Sequence, residues 1–214
     1  MKKLSGFLIV VLFAMLTVAA WGYANRPTSE PALPRIVHGF AFQPYQKDQD
    51  AIAGEDPTAA QIDADLKLLA GTTRAVRTYS SIGTLGEIPA LARKHGLKVM
   101  LGSWIDSDRE RNDREVEAAI RPANTHRNVT RILIGNEVVL RGDLPVEDLI
   151  AHLDRVRAAT KQPVSTAEPW HVWIKHPELV AHVDFITVHM LPYWEGVEVE
   201  AAVGYVVAKL GEVR

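Results

Sequence analysis

From residue 35 onward, short runs rich in β-branched and aromatic residues alternate with longer amphipathic runs. This alternation constrains the fold more than any other feature of the chain. Residues 36–42, 75–79, 97–104, 129–135, 163–167 and 184–189 read as strands. Residues 58–70 place Ile62, Leu66 and Leu69 on one helical face, with Thr58 as cap and Gly71 as stop. Further helices are expected over 85–95, 106–123, 145–160, 177–182 and 199–210. In the 106–123 helix, Val116, Ala119 and Ile120 face inward, and the many charged residues read as a solvated face. Strands joined through helices require crossover connections, so six βα units in series imply an α/β architecture with a parallel sheet.

Several function classes are disfavoured. No Gly-x-Gly-x-x-Gly follows the first strand and no Gly-x-x-x-x-Gly-Lys occurs, which removes the main support for a nucleotide-binding, doubly wound sheet. A formal net charge of −2 argues against a nucleic-acid partner. The absence of cysteine excludes disulfides, thiolate nucleophiles and Cys-based zinc sites.

The N-terminus has its own logic. Lys2 and Lys3 precede an apolar run with no charge from Leu4 to Asn25. A basic start followed by such a run directs export, either as a cleaved signal peptide ending at Gly22-Tyr23-Ala24 or as a single-span anchor. Positive charge on the short side keeps that end in the cytoplasm, so the rest is extracytoplasmic: secreted, periplasmic or anchored by residues 4–24. Residues 25–34 carry three prolines and read as an extended linker. Residues 35–214 then suffice for one domain with a real core.

In parallel α/β folds, function collects where strands end. The second strand ends in Arg77-Thr78-Tyr79-Ser80, the third in Ser103-Trp104 and the fourth in Asn136-Glu137. The fifth ends in Glu168-Pro169-Trp170, and the sixth in His189, followed by Pro192-Tyr193-Trp194-Glu195. Aromatic faces stack on sugar rings, and carboxylates bind hydroxyls or move protons. Such a rim is a carbohydrate site by chemistry. Taken singly, a Trp at a strand end is more often packing, and Glu137 alone reads equally well as a helix cap. His38 and His189 raise a metal-dependent hydrolase, but no His-x-His follows the first strand and no lysine or aspartate completes a set. Neither a metal nor a cofactor is therefore expected.

Five stretches, in order, carry a resemblance: Gly39-Phe-Ala-Phe-Gln-Pro-Tyr45, Arg77-Thr-Tyr-Ser80, Ile134-Gly-Asn-Glu137, Ser165-Thr-Ala-Glu-Pro-Trp170 and Asp184-Phe-Ile-Thr-Val-His-Met-Leu-Pro-Tyr-Trp-Glu-Gly196. They resemble glycoside hydrolase family 17, in particular its bacterial branch of β-1,3-glucan hydrolases and glucosyltransferases. The resemblance implies a (β/α)8 TIM-type barrel, incomplete here at about six units, a retaining mechanism and a β-glucan partner. It makes Glu137 the general acid/base and Asn136 the residue that binds the neighbouring sugar hydroxyl. Tyr79, Glu168, Trp170, His189, Tyr193 and Trp194 become substrate-binding candidates.

A retaining enzyme needs a second carboxylate about 5 Å from the first. The resemblance places it after a seventh strand, in a Gly-Glu-x-Gly-Trp-Pro-like segment. Residues 210–214 hold Glu212 but no strand to deliver it, so a chain truncated before strand seven, without turnover on its own, is expected. The competing reading is a non-catalytic, membrane-tethered glucan-binding protein.

Overall fold

The computed structural model describes residues 2–26, 35–51 and 53–214. The chain divides into two units, Met1–Pro34 and Arg35–Arg214. In the first, α1 (Lys2–Ala24) is one uninterrupted helix in which Phe7, Leu12, Phe13 and Trp21 are exposed. Its stretch Gly6–Ala24 is long and apolar enough to cross a membrane. The linker expected at 25–34 lies, from residue 27 on, outside the described residues.

The second unit follows the βα rhythm. Six strands, β1 (Phe40–Ala41), β2 (Ala75–Arg77), β3 (Lys98–Ser103), β4 (Val129–Asn136), β5 (Val164–Pro169) and β6 (Thr187–His189), form a single sheet in sequence order. Every neighbouring pair is parallel. Helices α2 (Ala59–Leu69), α3 (Ile88–Lys94), α4 (Arg109–Thr125), α5 (Val138–Arg141), α6 (Val146–Ala159), α7 (Trp170–Lys175) and α8 (Val199–Val213) fill the connections. This is a partial (β/α)8 barrel. β1 and β6 are its two unpaired edges.

Local chemistry explains the element ends. Thr58 and Gln61 form a reciprocal capping box at the start of α2. Asp108 caps α4 by accepting from the Arg111 amide at 3.0 Å. The core lies between sheet and helices. Ile62 and Leu66 of α2, Val99 and Leu101 of β3, Ile132 and Ile134 of β4, and Leu149, Leu153 and Val156 of α6 are all fully buried. Each such side chain contributes on the order of 1.5–3 kcal/mol.

Expectation and structure differ at several places. The first and last strands, each paired on one side only, shrink to Phe40–Ala41 and Thr187–His189, and the second stops at Arg77. The expected 85–95 helix begins as a 3-10 turn, Gly83–Glu87, and the expected 177–182 helix is 3-10 throughout. The charged face of α4 is not wholly solvated: Asn112 and Glu115 have no exposed surface. Their burial is tolerated because each is hydrogen-bonded. Glu115 accepts from the Ser80 hydroxyl and from the Ser81 amide at 2.7 Å.

Candidate active site at the strand ends

Arg77, Ser103, Asn136, Pro169 and His189 are the last residues of β2 to β6 and form one rim. β4 ends most sharply. Gly135 stands at φ +83°, and a Cβ there would lie 2.5 Å from Val138 Cγ2, so glycine is required. Glu137 then adopts φ 58°, ψ 32°. Among the described residues it is the one non-glycine residue with positive φ. A left-handed backbone of this kind costs about 1–3 kcal/mol and persists where its surroundings enforce it.

Those surroundings are specific. The Glu137 amide donates to Ala167 O of β5 at 2.7 Å. Glu168 of β5 accepts from the Val139 and Leu140 amides at 2.9 and 3.3 Å, satisfying the first turn of α5. At the far end of α5, Arg141 donates to Asn136 O, to Ile105 O at 2.8 Å and to Asp143 at 2.7 Å. Its guanidinium also lies 4.6 Å from the Trp104 ring centroid. The turn is thus clamped from the β3 side and the β5 side.

The side chains that the turn presents join one hydrogen-bonded set. Glu137 Oε1 lies 2.6 Å from His189 Nδ1. Arg77 Nη2 donates to Asn136 Oδ1 at 2.6 Å, and Arg77 Nη1 lies 3.2 Å from His189 Nε2. The same guanidinium stacks 4.4 Å from the Tyr79 ring centroid. Burial lowers the Arg77 pKa from the usual guanidinium range, with Tyr79 and Glu137 acting in the opposite direction. Arg77 Nε is buried without a hydrogen-bond partner. The Glu137 and His189 side chains remain 25% and 17% exposed, so the pair is open to a ligand.

The other candidates divide. Glu168, expected to touch substrate, is fully buried beneath the turn with its carboxylate occupied by two amides. Burial pushes its pKa up, the two amides oppose that, and the Glu137 charge adds to it. Its place is under the rim, which corrects the expectation. Trp170 opens α7 and belongs to a second cluster, donating from Nε1 to Glu195 at 3.1 Å. Lys209 Nζ stands 3.9 Å over the Trp170 ring, and the Tyr205 hydroxyl also donates to Glu195. Tyr193 and Trp194 lie in the 3-10 turn Pro192–Glu195, edge to face at 5.3 Å and mostly in solvent. Glu212 lies in α8, paired with Lys209 at 3.0 Å.

A cleft of about 810 Å³ opens between the segment after β1 and the ends of β2 and β3. Tyr79 lines it together with Phe42, Tyr45, Trp104 and Asp56, so it adjoins the Arg77 set. Its volume is ordinary for a small-ligand site. Tyr45 donates to Asp56 Oδ1 at 3.1 Å, and burial together with the Asp56 charge pushes its pKa up to about 12.

Arg77 is the residue that sequence reasoning passed over. It occupies the same strand end as Tyr79, and a donor-only side chain there was a signal. Tyr205 and Lys209 gave none, because their convergence on Glu195 and Trp170 depends on how α8 returns.

The family model for the BtgE/BtgC glycoside hydrolase domain matches residues 39–214. The chain belongs to this family. A glucan 1,3-beta-glucosidase of Schizosaccharomyces pombe is 33% identical over 147 residues, covering 62% of this chain and 46% of that protein. The family 17 β-1,3-glucanosyltransferase of Rhizomucor miehei superposes with a TM-score of 0.69 at 25% identity, over 82% of this chain and 65% of that one. An active-site mutant of that enzyme, solved in complex with laminaritriose, gives a TM-score of 0.70 at 25% identity over the same shares. These relatives support the family 17 resemblance. They are fungal, so the narrower likeness to the bacterial branch gains no support from them. The chain spans under half of the fission-yeast protein and about two thirds of the solved one.

Proposed function

We propose that this chain carries the acid/base half of a retaining glycosidase or transglycosylase site for β-1,3-linked glucan. The observation that carries the proposal is Glu137, held in a left-handed turn at the end of β4 with one carboxyl oxygen on His189 and its neighbour Asn136 pinned by Arg77. The relatives named above act on or bind β-1,3-glucan, which supplies the substrate class.

In this reading the sugar lies across the rim. Asn136 binds the hydroxyl next to the anomeric carbon, a contact that strengthens in the oxocarbenium-like transition state. Glu137 gives its proton to the leaving glycosidic oxygen as the C–O bond breaks. It then takes a proton from water or from an acceptor sugar hydroxyl as that oxygen attacks the anomeric carbon. The nucleophile is a second carboxylate, expected on a strand beside β6. Glu168 does not fill that role, because its oxygens are committed to amides and shielded from solvent. Tyr79, Trp170, Tyr193 and Trp194 supply stacking faces, and α1 acts in export as a cleaved leader or an anchor, a reading supported by its apolar stretch Gly6–Ala24.

Calorimetry with laminaritriose and with cellotriose tests the proposal. Laminaritriose binds and cellotriose binds at least several-fold more weakly. Asn136→Ala weakens laminaritriose by roughly tenfold, the loss of one sugar hydrogen bond of about 1.4 kcal/mol. Equal affinity for the two trisaccharides, or no heat with either, contradicts it.

A further inference from the structure

Asn136 and His189 are ambiguous partners. An amide presents either its oxygen or its NH2 group to a neighbour, and a neutral imidazole carries its proton on either nitrogen. Arg77 is not ambiguous, since a guanidinium donates and never accepts. It meets Asn136 Oδ1 at 2.6 Å and His189 Nε2 at 3.2 Å, one from each terminal nitrogen. Both contacts are hydrogen bonds only if the Asn136 oxygen faces Arg77 and His189 Nε2 is unprotonated. Asn136 then turns its NH2 group away from Arg77, and His189 is left with its single proton on Nδ1, 2.6 Å from Glu137 Oε1.

This matters for Glu137. An imidazolium beside it would form an ion pair and hold it as a carboxylate, useless as an acid. A neutral imidazole donating from Nδ1 occupies only Oε1 and leaves Oε2 able to carry a proton. The charged groups facing His189 are Arg77 from β2 and Glu137 from the end of β4, while its register partner on β5, Pro169, is uncharged. Arg77, facing Nε2 with a donor N–H, leaves no place for a proton on that nitrogen.

We propose that Arg77 is a positioning residue that keeps His189 neutral and protonated on Nδ1, so that Glu137 remains free to hold the catalytic proton. The importance for catalysis rests on the glycosidase reading above; the protonation state itself does not.

Imidazole nitrogens with and without a proton resonate far apart in long-range 15N–1H correlation spectra, so 15N-histidine labelling of the full chain reads the state directly. At neutral pH the parent shows His189 with a protonated Nδ1 and an unprotonated Nε2. Arg77→Met, which removes the cation and keeps much of the apolar stem, moves His189 toward the doubly protonated form, with Nε2 losing its unprotonated signature. An imidazolium or an Nε2-protonated ring in the parent overturns the proposal, as does an Arg77→Met variant whose Nε2 stays unprotonated. Should that variant fail to fold, the parent spectrum decides alone. Failure to bind laminaritriose with the expected His189 state would sink the glucan reading and leave this inference standing.

Discussion

Glu137 sits in a conformation that its neighbours impose. Its left-handed backbone is unfavourable by itself and is retained because Ala167, Glu168 and Arg141 each bind part of the turn. Two changes test this. Gly135→Ala places a Cβ against Val138 at a backbone angle that alanine resists, so urea unfolding should show a loss of roughly 1–3 kcal/mol. An unchanged midpoint would mean that the turn is softer than its geometry implies. In a preparation that turns over laminari-oligosaccharides, Glu137→Gln lowers initial rates by roughly 10²- to 10⁴-fold, the usual worth of a general acid. A loss below tenfold would remove Glu137 from the proton pathway. Asn136 and Glu137 were legible in the sequence because a buried apolar run stopped on two polar residues. Glu168 carried the same strand-end signal and was misplaced, since only the fold reveals that its carboxylate turns toward amides 28 and 29 residues away.

At the scale of elements, α4 shows how pattern and structure part. Val116 and Ala119 face the core as the 3.6-residue period requires, but Glu115 sits beside them fully buried. The period puts Glu115 on that face too, one turn before Ala119, but it does not reveal the partners that satisfy it, Ser80 and Ser81 of the loop after β2. Burial raises the Glu115 pKa above its ordinary 4.5, with the Ser80 and Ser81 hydrogen bonds opposing. The folded protein therefore holds that proton more tightly than the unfolded chain, and stability declines as pH rises from 4.5 through the folded-state value. Glu168 acts in the same direction. Asp184 acts oppositely and in a lower window. Burial alone would raise its pKa, but the Val164 amide and Arg157 outweigh that, and its stabilisation is lost only as pH falls below 3.8. Glu115→Gln should thus gain melting temperature relative to the parent as pH increases from about 4.5 toward neutrality; a constant or shrinking difference would contradict the burial argument. Away from the site, Thr58→Ala removes the α2 capping box and should cost about 1 kcal/mol without altering laminaritriose affinity. The strand and helix order was readable from apolar periodicity. The lengths of β1 and β6 were not, because pairing partners set them.

The whole molecule divides into two units. α1 is apolar over Gly6–Ala24, whereas the parallel sheet of the second unit sets Arg77, Asn136 and His189 at strand ends. Deleting residues 1–34 should release the protein from the membrane fraction, or abolish its export, and leave laminaritriose binding unchanged. A change in affinity would tie the leader to the site. The sheet runs β1 to β6 without a strand out of order, which is the topology that brings Arg77, Asn136 and His189 to one rim although they lie up to 112 residues apart. On the proposed function, this rim receives a β-1,3-glucan at Asn136 and Glu137. The most direct test is a laminaritriose titration followed by NMR at the Asn136 side-chain amide, with the buried Asn112 amide as internal control. The account predicts a saturable shift at Asn136, accompanied by His189, with Asn112 still. A titration that leaves Asn136 and His189 unmoved, or that shifts only the Tyr193–Trp194 turn, contradicts it.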